Sequence, residues 1–251
     1  MNTIEHHVLA STFVGAICII AAAWYLSKKS QSGAQPQKHA GPAPLLQCII
    51  QRRSVFAKNW IDQTVPEATM KRLLEAAMWA PYHGPVPPWR FVVLGRKSMV
   101  DMQLMTLAFY DAHWRDVGWA NGKYGEEESY LKWRKMTEDE ISGRWGPVSY
   151  MVAIVMRRQA GSKRISEWEE AAATACAVQN MHLQASTDAG LACYWSSWHD
   201  AARESVEMQV FLGMSSEDRC MGFFIVASCH PNLKDSRIRR PETHLNVEWR
   251  G

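Results

Sequence analysis

Apolar positions along the chain change period several times, and each change marks an element. From Val8 to Leu26, 19 positions pass without a charged residue, about 28 Å as a helix at 1.5 Å per residue and close to the hydrocarbon thickness of a bilayer. Trp24 and Tyr25 stand at the C-terminal edge of this run, and Lys28 and Lys29 follow it. That order predicts a transmembrane anchor over residues 1–26, single-pass, with the rest of the chain facing the cytosol. A cleaved signal peptide fits less well, because a basic start is missing and the apolar run is long. Residues 27–44 are rich in Ser, Gln, Gly, Ala and Pro and predict a flexible linker. The folded domain is expected over 45–251.

Within that domain the 3.6 period comes first. Leu45, Leu46, Ile49 and Ile50 predict a short helix that delivers Arg52-Arg53-Ser54-Val55. Pro66 opens a second helix, with Leu73, Leu74, Ala77 and Met78 on its apolar face. A loop with prolines at 81, 85, 87 and 88 then runs through His83 to a strand at Phe91–Leu94. Four prolines in eight residues make it stiff. Ser98–Tyr110 reads as a helix. Residues 111–146 form a polar, Trp-rich insertion whose aromatic content points to a cover over something apolar. Val148–Met156 predicts a strand, Glu167–Ala189 a long helix ended by Gly190, Leu191–Trp195 a strand, Ala201–Leu212 a helix, and Cys220–Ser228 a third long strand. The small residues in the middle of the long helix, Ala171 to Ala177, allow another helix to approach closely. Strands separated by long helices predict an α+β domain.

Charge narrows the function. Lys28, Lys29 and Lys38 against Glu5 put +2 of the net +3 in the first 44 residues, and the domain is almost neutral. A nucleic-acid binder needs a basic footprint, so that class is set aside. The six cysteines show no CxxC spacing and suit a reducing compartment; Cys176 and Cys220 lie in apolar segments and read as small core residues. No zinc pattern, nucleophile elbow, Walker loop or GxGxxG occurs, and no metal site is expected. His182 reads as an ordinary mid-helix histidine. Glu167, Glu169 and Glu170 suit the positive end of a helix dipole. What remains is Arg52-Arg53-Ser54, the loop with His83, the strand end Tyr194-Trp195-Ser196-Ser197 and the basic Arg237, Arg239 and Arg240 before Pro241. Guanidinium groups can fork onto a phosphate, and serine hydroxyls can bond a ribityl chain or a ring carbonyl.

In that order these pieces resemble the FMN-dependent nitroreductase family, from about Leu45 to the C-terminus. The resemblance rests on Arg52-Arg53-Ser54-Val55, Leu74-Glu75-Ala76-Ala77 leading to Ala80-Pro81, and Pro88-Trp89-Arg90-Phe91-Val92-Val93. Gln179-Asn180 in the long helix, Gly190-Leu191 and Phe211-Leu212-Gly213 add to it. His83 and Trp168-Glu169 are similar to the compact nitroreductases.

The resemblance implies a nitroreductase-like fold, a mainly antiparallel central sheet flanked by helices, in a homodimer with FMN at each subunit interface. Arg52, Arg53 and Ser54 would then contact the flavin phosphate, ribityl chain and pyrimidine side, and His83 would reach the flavin from the partner subunit. Trp195, Ser196 and Ser197 would flank the ring, Arg239 or Arg240 would hold the phosphate, and Trp79 stands where the branch places an arginine. The implied activity is transfer of two electrons from NADH or NADPH to a nitroaromatic, quinone or similar small-molecule acceptor by a ping-pong mechanism, without a protein nucleophile. Two other readings share these features. One is a membrane-anchored dehalogenase of the iodotyrosine deiodinase type, for which Glu126 and Tyr130 have the spacing of the lid motif. The other is a non-catalytic tethered flavin-fold protein with a partner on 111–146.

Overall fold

Among the described residues, five antiparallel strands carry the domain. The computed structural model describes residues 44–119, 122–159, 161, 164–234 and 246–250, and Pro44–Gly251 forms one compact unit. The elements in chain order are α1 (Pro44–Gln51), β1 (Trp60–Ile61), α2 (Glu67–Ala77), β2 (Trp89–Leu94), α3 (Arg96–Val117), α4 (Glu127–Asp139), β3 (Val148–Met156), α5 (Glu167–Ser186), β4 (Leu191–Ser196), α6 (Asp200–Arg203), α7 (Val206–Leu212) and β5 (Arg219–Cys229). The sheet runs β1-β5-β3-β2, and β4 also pairs with β5. The expected α+β architecture, a mainly antiparallel sheet flanked by helices, is what forms.

β3 and β5 are buried along most of their lengths because helices cover both faces. Phe223, Ile225 and Ala227 of β5 turn toward Met99 and Met102 of α3 and Met208 and Leu212 of α7. Phe224 and Val226 turn the other way, toward Leu73 and Ala77 of α2 and Ala177, Val178 and Met181 of α5. The alternation of a strand thus supplies both cores, and the small residues Ala173 and Ala177 let α2 lie close to α5.

Several boundaries differ from the sequence expectation. The helix expected over Ala201–Leu212 is two helices, because the Ser205 hydroxyl accepts from Met208 N at 3.2 Å and starts a new N-terminus. α5 stops at Ser186, before Gly190, which has no left-handed backbone. Asp188 makes the turn instead, its carboxylate accepting from Gly190 N at 3.0 Å. Cys176 is exposed rather than a core residue. α3 runs seven residues past Tyr110 into the insertion. There Trp114 stacks on Tyr130 at 4.8 Å, and Tyr130 donates to Asp111 at 2.6 Å. Partial desolvation would raise Asp111, but the fork from Arg134 and the bond from Tyr130 outweigh it and the carboxyl titrates low, while burial and the Asp111 bond push Tyr130 up. A five-residue π turn, Glu140–Arg144, closes the insertion.

The membrane assignment needs correction. Among the described residues no helix is long and apolar enough to cross a bilayer. The long helices α3 and α5 are interrupted by charge, such as Asp101 and Arg115 in one and Glu167, Glu169 and Glu170 in the other. The expected anchor, 1–26, and all of the linker but Pro44 lie outside the described residues, and a single-pass protein facing the cytosol is not upheld.

Candidate functional site

The Arg52–Val55 segment leaves α1 and runs beside β4, where Val55 N donates to Cys193 O at 3.2 Å. Its two guanidinium groups are held from behind. Arg52 Nη1 reaches His182 Nδ1 at 3.4 Å, Arg53 Nη1 donates to Leu233 O at 2.9 Å, and His182 Nε2 meets Arg53 O at 3.2 Å. A guanidinium only donates and a carbonyl only accepts, so His182 is the neutral tautomer with its proton on Nε2. The imidazole is buried on α5, edge-on to Phe224 at 5.5 Å.

A second group sits where β4 ends. Trp195 Nε1 donates to Met221 O at 2.7 Å, Ser196 Oγ accepts from Trp198 N at 3.2 Å, and Ser197 O accepts from Arg203 Nη1 at 2.6 Å. The strand end is pressed against Gly222, a bulge residue with φ +107°. A Cβ there would collide with Ser196 O and stand 3.0 Å from Trp195 Nε1. Trp198 holds φ +61° and is pinned by a 3.0 Å bond from its indole to Thr106 Oγ1. Beyond it lies a cavity of about 140 Å³ between Thr137, Ile141 and Trp145 of the insertion and Ser196, Trp198 and His199. His199 packs between Tyr110, Trp133 and Trp198, and burial pulls its pKa down, against the opposing pull of Glu140 and Asp200.

The third group is the proline loop. His83 Nδ1 lies 3.1 Å from Glu169 Oε2. Gln159 Nε2 donates to the carbonyls of His83 and Val86 at 3.1 and 3.2 Å. Gly84, at φ +101°, leaves the room that Gln159 fills. Glu169 and His182 are thirteen residues apart on α5, about 20 Å along its axis. The arginines and His83 are therefore tied to opposite ends of one helix.

Residues 49–228 match the nitroreductase family. The chain belongs to that family. Among solved structures, a nitroreductase-like protein from Bacillus cereus superposes with a TM-score of 0.58 at 22% identity, over 84% of this chain and 99% of that one. A Bacteroides fragilis nitroreductase with bound FMN gives 0.54 at 17%, over 82% and 96%. The FMN-dependent nitroreductase NfnB of Mycobacterium smegmatis, in complex with NADPH, gives 0.56 at 13%, over 82% and 97%. At these identities the likeness is one of fold. No curated protein matches the chain.

In this nitroreductase-family chain Arg52, Arg53 and Ser54, the strand end Trp195-Ser196-Ser197, and His83 fall into three separate groups. Arg239 and Arg240 lie outside the described residues. Trp79 is 81% exposed at the end of α2. His182, read from sequence as an ordinary helical histidine, is the part that joins Arg52 to Arg53. No local signal marks it, since the arginines come from 130 residues away. None of the selected residues lines the cleft of about 660 Å³ between Val65, Asp188 and His230 at the other end of β4.

Proposed function

We propose that this chain is an FMN-dependent oxidoreductase that passes two electrons from NAD(P)H to a nitroaromatic, quinone or similar small acceptor. The observation that carries the reading is the paired Arg52 and Arg53, braced by His182 and the Leu233 carbonyl beside β4 of a nitroreductase-family fold. The donor set fits FMN: two fixed cations suit its phosphate, while the Ser54 hydroxyl and the strand end Trp195-Ser196-Ser197 suit the ribityl chain and ring edge. Bound FMN supplies the hydride chemistry, and the protein supplies binding, orientation and electrostatics. Arg52 or Arg53 with Ser54 would favour negative charge at the pyrimidine edge.

His83, held at the far end of α5, would serve the flavin of a second copy, so the working unit is read as a homodimer. Exposed apolar side chains support that reading: Leu45, Leu46, Ile49 and Ile50 of α1, with Phe56, Met78 and Trp79, all at least 45% exposed. Nothing favours the deiodinase reading, since Tyr130 is buried with its hydroxyl on Asp111. Trp114, Trp119 and Tyr130 of the insertion pack on one another and beside Ala202, and Trp133 and Trp145 pack against Tyr110, His199, Trp60 and Trp198, so most of its rings serve the fold rather than a partner face.

The test is the absorbance spectrum of the purified full chain, followed by anaerobic titration with NADH and with NADPH. A yellow protein bleached by two electrons is expected, with parallel double-reciprocal plots if the two substrates take turns. A colourless protein that cannot be reconstituted with FMN overturns the reading.

A further inference from the structure

Glu169 lies in the first turn of α5. We propose that Glu169 is a positioning residue that orients the His83 imidazole toward the flavin, an inference that rests on the FMN reading above. An acid in the first turn of a helix is accounted for by the helix dipole alone. The second observation is that its Oε2 meets Nδ1 of His83, 86 residues away, at 3.1 Å. A carboxylate only accepts, so Nδ1 carries the proton. The ring is then held at one nitrogen, and Nε2, which has no partner among the described residues, is the one presented. The His83 side chain is 81% exposed and Glu169 only 26%. The acid is thus the fixed partner and the imidazole the reaching one.

The platform under both is stiff. Gln159 bonds the loop carbonyls of His83 and Val86, and its own N–H donates to Glu170 Oε1 at 2.9 Å. Glu170 is buried and ion-paired with Arg158. Loop and helix start therefore share one anchor, and Glu169 adds the last constraint, the rotamer of the imidazole. Without it, an exposed side chain must be ordered each time the cofactor binds.

The experiment is an FMN-affinity cycle on the full chain by flavin fluorescence, with E169A, E169Q, H83A and H83A/E169A. H83A and E169A should each weaken FMN about five- to tenfold, the size of one ordinary hydrogen bond at an ordered side chain. The double variant should be no weaker than H83A alone, and E169Q, which keeps an acceptor, should recover most of the loss. The melting temperature of the cofactor-free variants should barely move, because His83 is exposed and an ion pair with one exposed partner adds little to stability. Equal weakening by E169A with and without His83 overturns the inference, as does unchanged affinity in either single variant. Failure of the unaltered chain to bind FMN overturns the cofactor reading itself, and this inference with it.

Discussion

Replacing Glu170 by methionine should unfold the platform beneath the proline loop more than any other single change in α5. Its carboxylate has no solvent exposure, and the partner, Arg158, retains only 10%. The substitution leaves a guanidinium in that setting without its counter-ion, which costs about 3–5 kcal/mol. It also strips the acceptor from Gln159 N, worth about 1–3 kcal/mol when a buried donor is orphaned. The two losses share the same desolvation, so about 4 kcal/mol is expected, a fall of roughly 8–16 °C in Tm for a domain of this size. R158M/E170M removes both charges and should recover about half of the loss, since a well-packed apolar pair replaces an ion pair at little net cost. Urea denaturation of the full chain, followed by tryptophan fluorescence, measures all three stabilities. Amide exchange at Gly84 and Val86 should rise in E170M, because Gln159 holds the loop. A loss below about 1 kcal/mol in E170M, or a double variant as unstable as the single, refutes the reasoning.

Gly222→Ala should cost about 3 kcal/mol, from a left-handed φ and a collision with the β4 backbone, and should weaken FMN binding by moving Ser196; melting curves and flavin titration check both. His199 has a folded pKa below the ordinary 6.5, so the unfolded chain binds more protons in the window between the two. Its stabilising contribution, complete above 6.5, is lost as pH falls through that window. H199F should flatten this part of the stability–pH curve relative to the unaltered chain, and identical slopes would refute the assignment. Arg52→Met should weaken FMN by about ten- to a hundredfold, the worth of one charged hydrogen bond, and H182A should do so less, since it loosens the arginines without removing them.

How much of this was legible depends on whether the determining contact is local. β3 begins and ends where its apolar run does, because a strand covered on both faces needs no alternation. The break in Ala201–Leu212 was hidden, since one serine capping Met208 hardly disturbs an apolar period. The Trp-rich insertion was readable as burial but not as to what it buries: Trp114, Trp119 and Tyr130 mostly cover one another. Arg52, Arg53 and His83 were recognisable as candidates, yet nothing in the sequence said that His182 and Glu169 would be their partners. Those contacts exist only because α5 crosses beneath both segments.

That crossing has a consequence for how the proposed site keeps its shape. Ala173 and Ala177 are small enough for α2 to seat closely against α5, and α2 ends in the proline loop that carries His83. The other end of α5 carries His182, and with it the two arginines. One pair of packed helices therefore fixes the distance between Arg52, Arg53 and His83 of the same chain. In the proposed dimer each FMN takes its arginines from one copy and its histidine from the other. The α2–α5 packing would then set the spacing of the two half-sites, and the stiff loop would only transmit it. A bulky residue at Ala177, such as leucine, would push α2 away by forcing extra methylene groups into a full core, at a cost of about 1–3 kcal/mol. It should lower FMN affinity although position 177 touches no ligand. Unchanged affinity in a folded Ala177→Leu protein would show that the loop, not the helix pair, holds the geometry.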